Sequence, residues 1–223
     1  MSIASAWNPM GTAAGGGGLP PEYEARQYLA SWQDSVNARN HHSLDTGSRP
    51  TAKTRWEVKL NVVRGAWGGQ MYMGCYTKFE LMYSNYGYVG ASQGTNDDHS
   101  VVWPDAKFGK DLVCIIDNAA GYAEIGNGGT GEGDFGRRHC ELDPIPLPTD
   151  TIHLFSRGDE LVGHTTKIYW SRIYEDGVLV QDLVPCVRKS DGRRGMYDLV
   201  GRNFLVNLVD GYDFDTDMET HGL

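Results

Sequence analysis

The sequence predicts an all-β fold, an antiparallel sandwich or barrel, and three observations carry that expectation. Apolar and polar residues alternate with period two in segment after segment. The segments are bounded by Gly, Pro, Asn or Asp, and no helical crossovers of the kind a parallel sheet needs lie between them. The 29 glycines also favour many short elements joined by turns over a few long helices. A chain of 223 residues buries roughly 70% of its unfolded surface, so a core forms without metal or disulfide staples.

Residues 1–18 are small, with a four-glycine run at 15–18, and cannot bury enough apolar surface to fold alone. They are expected to be a flexible or partner-docking arm, with Ile3, Trp7 and Met10 as the docking side chains. ARQYLASW (25–32) fits a short helix or an edge strand. TRWEVKLNVV (54–63) is a half-buried strand, with Trp56, Val58, Leu60 and Val62 on one face and Arg55, Glu57, Lys59 and Asn61 on the other.

MYMGCYTKFELMYS (71–84), DLVCIIDN (111–118), TIHLFSR (151–157), KIYWSRIYED (167–176) and GVLVQDLVPCV (177–187) continue the series. Asp176-Gly177 between the last two suits a type I′ hairpin turn, which needs positive φ at both central residues. Residues 117–136 hold seven glycines and are expected as a long loop or a pair of poorly formed strands. The acidic end, 208–223, is expected as a solvated extension, with a divalent cation on Asp213, Asp215, Asp217 and Glu219 as the lesser alternative.

A formal charge of −9 opposes binding to a nucleic-acid backbone. Cys75, Cys114, Cys140 and Cys186 lack zinc-site spacing and are expected as reduced core residues. No secretory signal and no membrane-length apolar run is evident, so synthesis and folding in a cytosol are expected.

Four blocks, LPPEYEARQYLAS (19–31), SLDTGSRPTAKTRWEVK (43–59), PIPLPTDTIHLFSR (144–157) and the run 167–207 that ends in GMYDLVGRNFLVN, carry a family likeness. Together they resemble the laminin-G-like, concanavalin A-like jelly-roll modules of bacteriophages and gut-bacterial surface proteins. The resemblance implies a two-sheet antiparallel jelly-roll sandwich over 19–207, with the 31–42 link and the 208–223 end as departures. It also supplies a phage context, while function lives in sites grafted on such folds.

Glycosidases of this fold carry alternating carboxylates on one strand. The nearest match, Glu132-Gly133-Asp134-Phe135-Gly136, lacks the third. Asn96, Asp97 and Asp98, followed by Trp103, are candidates for sugar hydroxyls or Ca²⁺, against the plainer reading of a turn before a core tryptophan. Trp67, among Gly65, Gly68 and Gly69, is a candidate exposed contact. The histidines form no ligand set, and His153 is expected to face solvent. No nucleophile elbow is present.

The expected function is therefore a non-enzymatic, multi-copy virion protein: a head decoration, a head fibre or a tail-associated module. It would be made in the host cytoplasm, held to capsid or tail by its arm, and offered to host-surface glycans. Nucleic acid and membrane are not expected partners, and no resident cofactor or metal is expected beyond the Ca²⁺ alternative. A bacterial surface lectin and a glycoside hydrolase are the alternatives.

Overall fold

The computed structural model describes residues 18–31, 41–64, 70–75, 79–84, 88–92, 101–104, 109–126, 136–142, 149–157 and 165–217. Among them the regular elements are all strands, every pairing is antiparallel, and the pairings build two sheets.

The larger sheet is ten-stranded and runs β11 (Arg137–Glu141), β10 (Tyr122–Gly126), β9 (Asp111–Asp117), β4 (Thr54–Arg64), β13 (Thr165–Glu175), β14 (Val178–Arg188), β15 (Arg194–Asp198) and β16 (Phe204–Leu205). Off that path, β1 (Tyr23–Ala25) pairs with β14, and β2 (Leu29–Ala30) pairs with β13. The smaller sheet runs β3 (Leu44–Asp45), β12 (His153–Leu154), β5 (Gln70–Cys75), β6 (Phe79–Ser84), β7 (Tyr88–Ser92) and β8 (Val101–Pro104).

Alternation decides which face each strand buries. Trp56, Val58, Leu60 and Val62 of β4 enter one core with Leu112, Cys114 and Ile116 of β9 and Met73, Phe79 and Leu81 of the smaller sheet. Each such side chain, fully buried, contributes on the order of 1.5–3 kcal/mol. The Trp56 indole N–H, which would otherwise be an unmet donor in the core, donates to Ser171 Oγ at 3.0 Å. At the far end of the larger sheet, Leu19 and Tyr23 cover Cys186, Tyr197 and Leu199 in a second cluster, with the Tyr23 and Tyr197 rings 4.8 Å apart.

The hairpin expected at 176–177 is present, with φ of 51° at Asp176 and 76° at Gly177, both positive as a type I′ turn demands. The described part of the 25–32 segment, residues 25–31, holds the last residue of β1 and all of β2, with no helical turn. Within the glycine-rich stretch 117–136, β10 is a full strand with Ala123 and Ile125 in the core, while residues 127–135 lie outside the described set. Cys75, Cys114 and Cys186 are free and buried, as read from the sequence.

The acidic end does not hang free over 208–217. Phe214 is 1% exposed in the core, its ring 4.9 Å from Phe155. Asp215 bridges Ala30 through two backbone hydrogen bonds of 2.7 and 2.9 Å. The Asp213 carboxylate meets Arg194 at 3.2 Å, and Asp215 Oδ1 accepts the amides of Thr216 and Asp217. One apolar residue inside an acidic run suffices to dock it, because burying a phenylalanine outweighs leaving solvated aspartates beside it. Phe214→Ala is expected to cost about 3–5 kcal/mol in guanidinium unfolding. A loss below about 1 kcal/mol, the scale of a surface substitution, would mean that this clasp is not part of the core.

Candidate functional site

The strand alternation that fills the core also projects charged residues from the opposite, outer face of the larger sheet. Register then aligns them across strands. One row reads Asp182, Arg172, Glu57, Ile115, Glu124 and His139 across β14, β13, β4, β9, β10 and β11. The next row reads Tyr174, Arg55, Asp117, Tyr122 and Glu141.

Carboxylates on the outside of a sheet are ordinarily solvated, yet Glu57 is 4% exposed, Asp117 7%, Glu124 3% and Asp182 1%. Burial on this scale needs compensation, and arginine supplies it. Arg55 holds Glu57 at 2.5 Å and reaches Asp117 at 3.7 Å. Arg172 donates to Asp182 at 3.1 Å, and Arg137 pairs with Glu124. Burial nevertheless dominates at Glu57 and pushes its carboxyl above the usual range, despite the Arg55 pair.

Aromatic rings back the cations. The Arg172 guanidinium lies 4.9 Å from the Trp170 ring, Lys59 Nζ 4.6 Å from Tyr169, and Lys167 Nζ 4.4 Å from Tyr28. Trp170, Val113 and Ile115 form a small apolar cluster on the same face, with Tyr122 and Tyr169 packed against it. Among the described residues, Arg55 Nε, Asn61 Oδ1, Glu124 Oε2 and Asp182 Oδ2 are buried without a hydrogen-bond partner, and all four belong to side chains of this face. An unmet buried polar atom costs about 1–3 kcal/mol, so this face is a costly one to keep polar.

A second polar group imitates catalytic machinery. Ser43 Oγ lies 3.0 Å from His153 Nδ1, and His153 Nε2 lies 3.9 Å from Asp45. The polarity is reversed from a working triad: the serine is the buried end, bonded to Ser156 Oγ at 2.6 Å, and the carboxylate is the exposed end. A nucleophile sealed below its own base cannot meet a substrate, so this network ties β3 to β12. It also corrects the sequence expectation for His153, which faces Ser43 with its side chain only 12% exposed.

Trp67, Asn96, Asp97, Asp98, Ile3, Trp7 and Met10 lie outside the described residues, as do Glu132 to Phe135. The backbone of Trp103 sits in β8 opposite Val89. The outer-face cluster was not singled out from sequence because its members come from six strands, and only their pairing brings them together. The one local signal was the run Arg55, Glu57, Lys59 on alternate positions. Among the described residues, no three His, Cys, Asp or Glu side chains converge as a metal site.

No protein-family model, curated protein or solved structure matches this chain.

Arg55→Met strands Glu57 without its closest partner and is expected to destabilise by about 3 kcal/mol, of which the double variant Arg55→Met/Glu57→Leu recovers most. Additive losses in chemical denaturation would show that the two side chains are not coupled.

Proposed function

We propose that the chain is a non-enzymatic interaction module of a bacteriophage virion, a concanavalin A-like jelly roll that offers the outer face of its larger sheet to a host-surface glycan. The supporting observation is the alternation of tyrosine rings with arginine-held carboxylates across that face. Tyr174 and Tyr122 flank the Arg55–Asp117 pair in one row. Aromatic faces pack against sugar C–H groups while the exposed Glu141 carboxylate, paired with Tyr122 in that row, accepts sugar hydroxyls, so the mixture suits a polyhydroxylated ligand better than an apolar one. The sequence blocks of the phage and gut-bacterial modules support the virion setting, and residues 1–18 are the proposed attachment to capsid or tail. A bacterial surface lectin would use the same face.

One observation favours a hydrolytic reading. Glu57 and Glu124 flank Ile115 on the same face, so their backbones lie two strand spacings apart, roughly 9.6 Å. Inverting glycosidases separate their carboxyl groups by about 6.5–9.5 Å, a span that side chains on backbones so spaced can bridge, and burial raises the Glu57 carboxyl. Against it, Ile115 between the two is fully buried, which leaves no opening for a scissile bond.

On a glycan array the wild-type protein is expected to retain at least one host-surface glycan, and Tyr122→Ala/Tyr174→Ala to lose most of that signal. An unchanged signal in the double variant would move the site elsewhere. Reducing-sugar release abolished by Glu57→Gln would establish the hydrolase instead. The virion setting predicts co-purification with intact particles at a fixed copy number, and a protein absent from washed particles would refute it.

A further inference from the structure

We propose that His139 is a proton-operated clasp that fastens edge strand β11 to the larger sheet in acid and loosens it as the pH rises. The inference rests on hydrogen-bond geometry and is independent of the ligand proposed above. His139 Nδ1 lies 3.0 Å from Glu124 Oε1, and Nε2 lies 3.1 Å from Glu141 Oε1. An ionised carboxylate only accepts, so both ring nitrogens must carry hydrogen for both contacts to be attractive. Only the imidazolium meets that condition. In the neutral ring, one contact sets a nitrogen lone pair against carboxylate oxygen.

The contacts join two strands. Glu124 is the cross-strand partner of His139 on β10, and Glu141 sits two residues further along β11 on the same face. Glu124 is the buried member and depends on Arg137 and His139 for compensation, while its second oxygen has no partner among the described residues. When the imidazole loses its proton, Arg137, whose side chain is 39% exposed, is the cation left to Glu124 among the described residues, and the neutral ring has one N–H for two carboxylates. Glu141, 83% exposed, is then free to turn to solvent.

The other titratable or charged groups toward the ring are few among the described residues. The Tyr122 ring on β10 is 5.0 Å from it, and beyond Tyr122 lie Asp117 of β9 and Arg55 of β4. Burial pushes the Tyr122 phenol up, so it stays neutral across the imidazole range. The hydrogen bonds to Glu141 and then to Glu124 hold His139 above the ordinary imidazole value. A histidine raised in the fold contributes stability that is complete below its unfolded value of about 6.5 and is lost as pH rises through the folded value. β11 feels that loss most, because among the described strands it pairs with β10 alone.

The test uses the full chain. Titration of the His139 Cε1–Hε1 resonance by NMR is expected to give a pKa above 6.5 in the wild type, lowered in Glu141→Gln. Amide exchange, corrected for intrinsic rate, is expected to show the protection of β11 relative to β9 falling several-fold from about pH 5.5 to about pH 8.5, on either side of the imidazole range. In His139→Gln that ratio is expected not to depend on pH. Glu124→Gln removes a buried charge and is a harsher change, so the exposed Glu141→Gln variant decides if it fails to fold. A His139 pKa at or below 6.5, or a pH-independent β11 ratio in the wild type, overturns the clasp.

Discussion

Burial on both faces of β4 is the constraint from which the rest of the structure follows. This strand pairs with β9 on one side and β13 on the other along most of its length. Its inner face gives Trp56, Val58, Leu60 and Val62 to the core. Its outer face gives Arg55 and Glu57 to a layer from which water is nearly as well excluded, since Glu57 is as buried as many core residues. A slip of one residue in either pairing would exchange the two faces, driving an arginine and a glutamate into the apolar core. Register is therefore fixed from both sides, and the rows of the outer face inherit that precision.

The ionic layer is costly to maintain. Buried ion pairs seldom stabilise more than apolar residues of the same volume would, because the desolvation of each charge offsets the attraction. Here the pairs are kept, backed by Trp170 and Tyr169, and left with unmet polar atoms on Arg55, Asn61, Glu124 and Asp182. A sheet selected only for stability would carry alternating valine and threonine at these positions. Toward the edge the same layer becomes titratable, since at His139 the compensation of a buried carboxylate passes from an arginine to a group whose charge depends on pH.

Much of the fold was legible in the sequence because it is local. The alternation of TRWEVKLNVV and the Asp176-Gly177 turn each specify their own geometry without reference to the rest of the chain. What was not legible depends on pairing. β10 was concealed because Tyr122 to Gly126 is a short alternation inside a glycine-rich stretch. The docking of Phe214 was concealed by the aspartates around it, and His153 by strand parity, which cannot tell solvent from a polar pocket. The candidate site was least legible: Asp182, Arg172, Glu57 and Glu124 are separated by long stretches of chain and meet only through β-sheet register.

Native-state hydrogen exchange measures the central claim directly, because it ranks strands by the free energy of opening them. If β4, closed on both faces, is the element on which the sheet depends, the slowest amides at neutral pH belong to β4 with β9 and β13, and they exchange together at the rate of global unfolding. If β4 instead opens before β14 and β15, with its amides exchanging faster than theirs, the ionic face is not locked by burial and the constraint proposed for this fold is wrong.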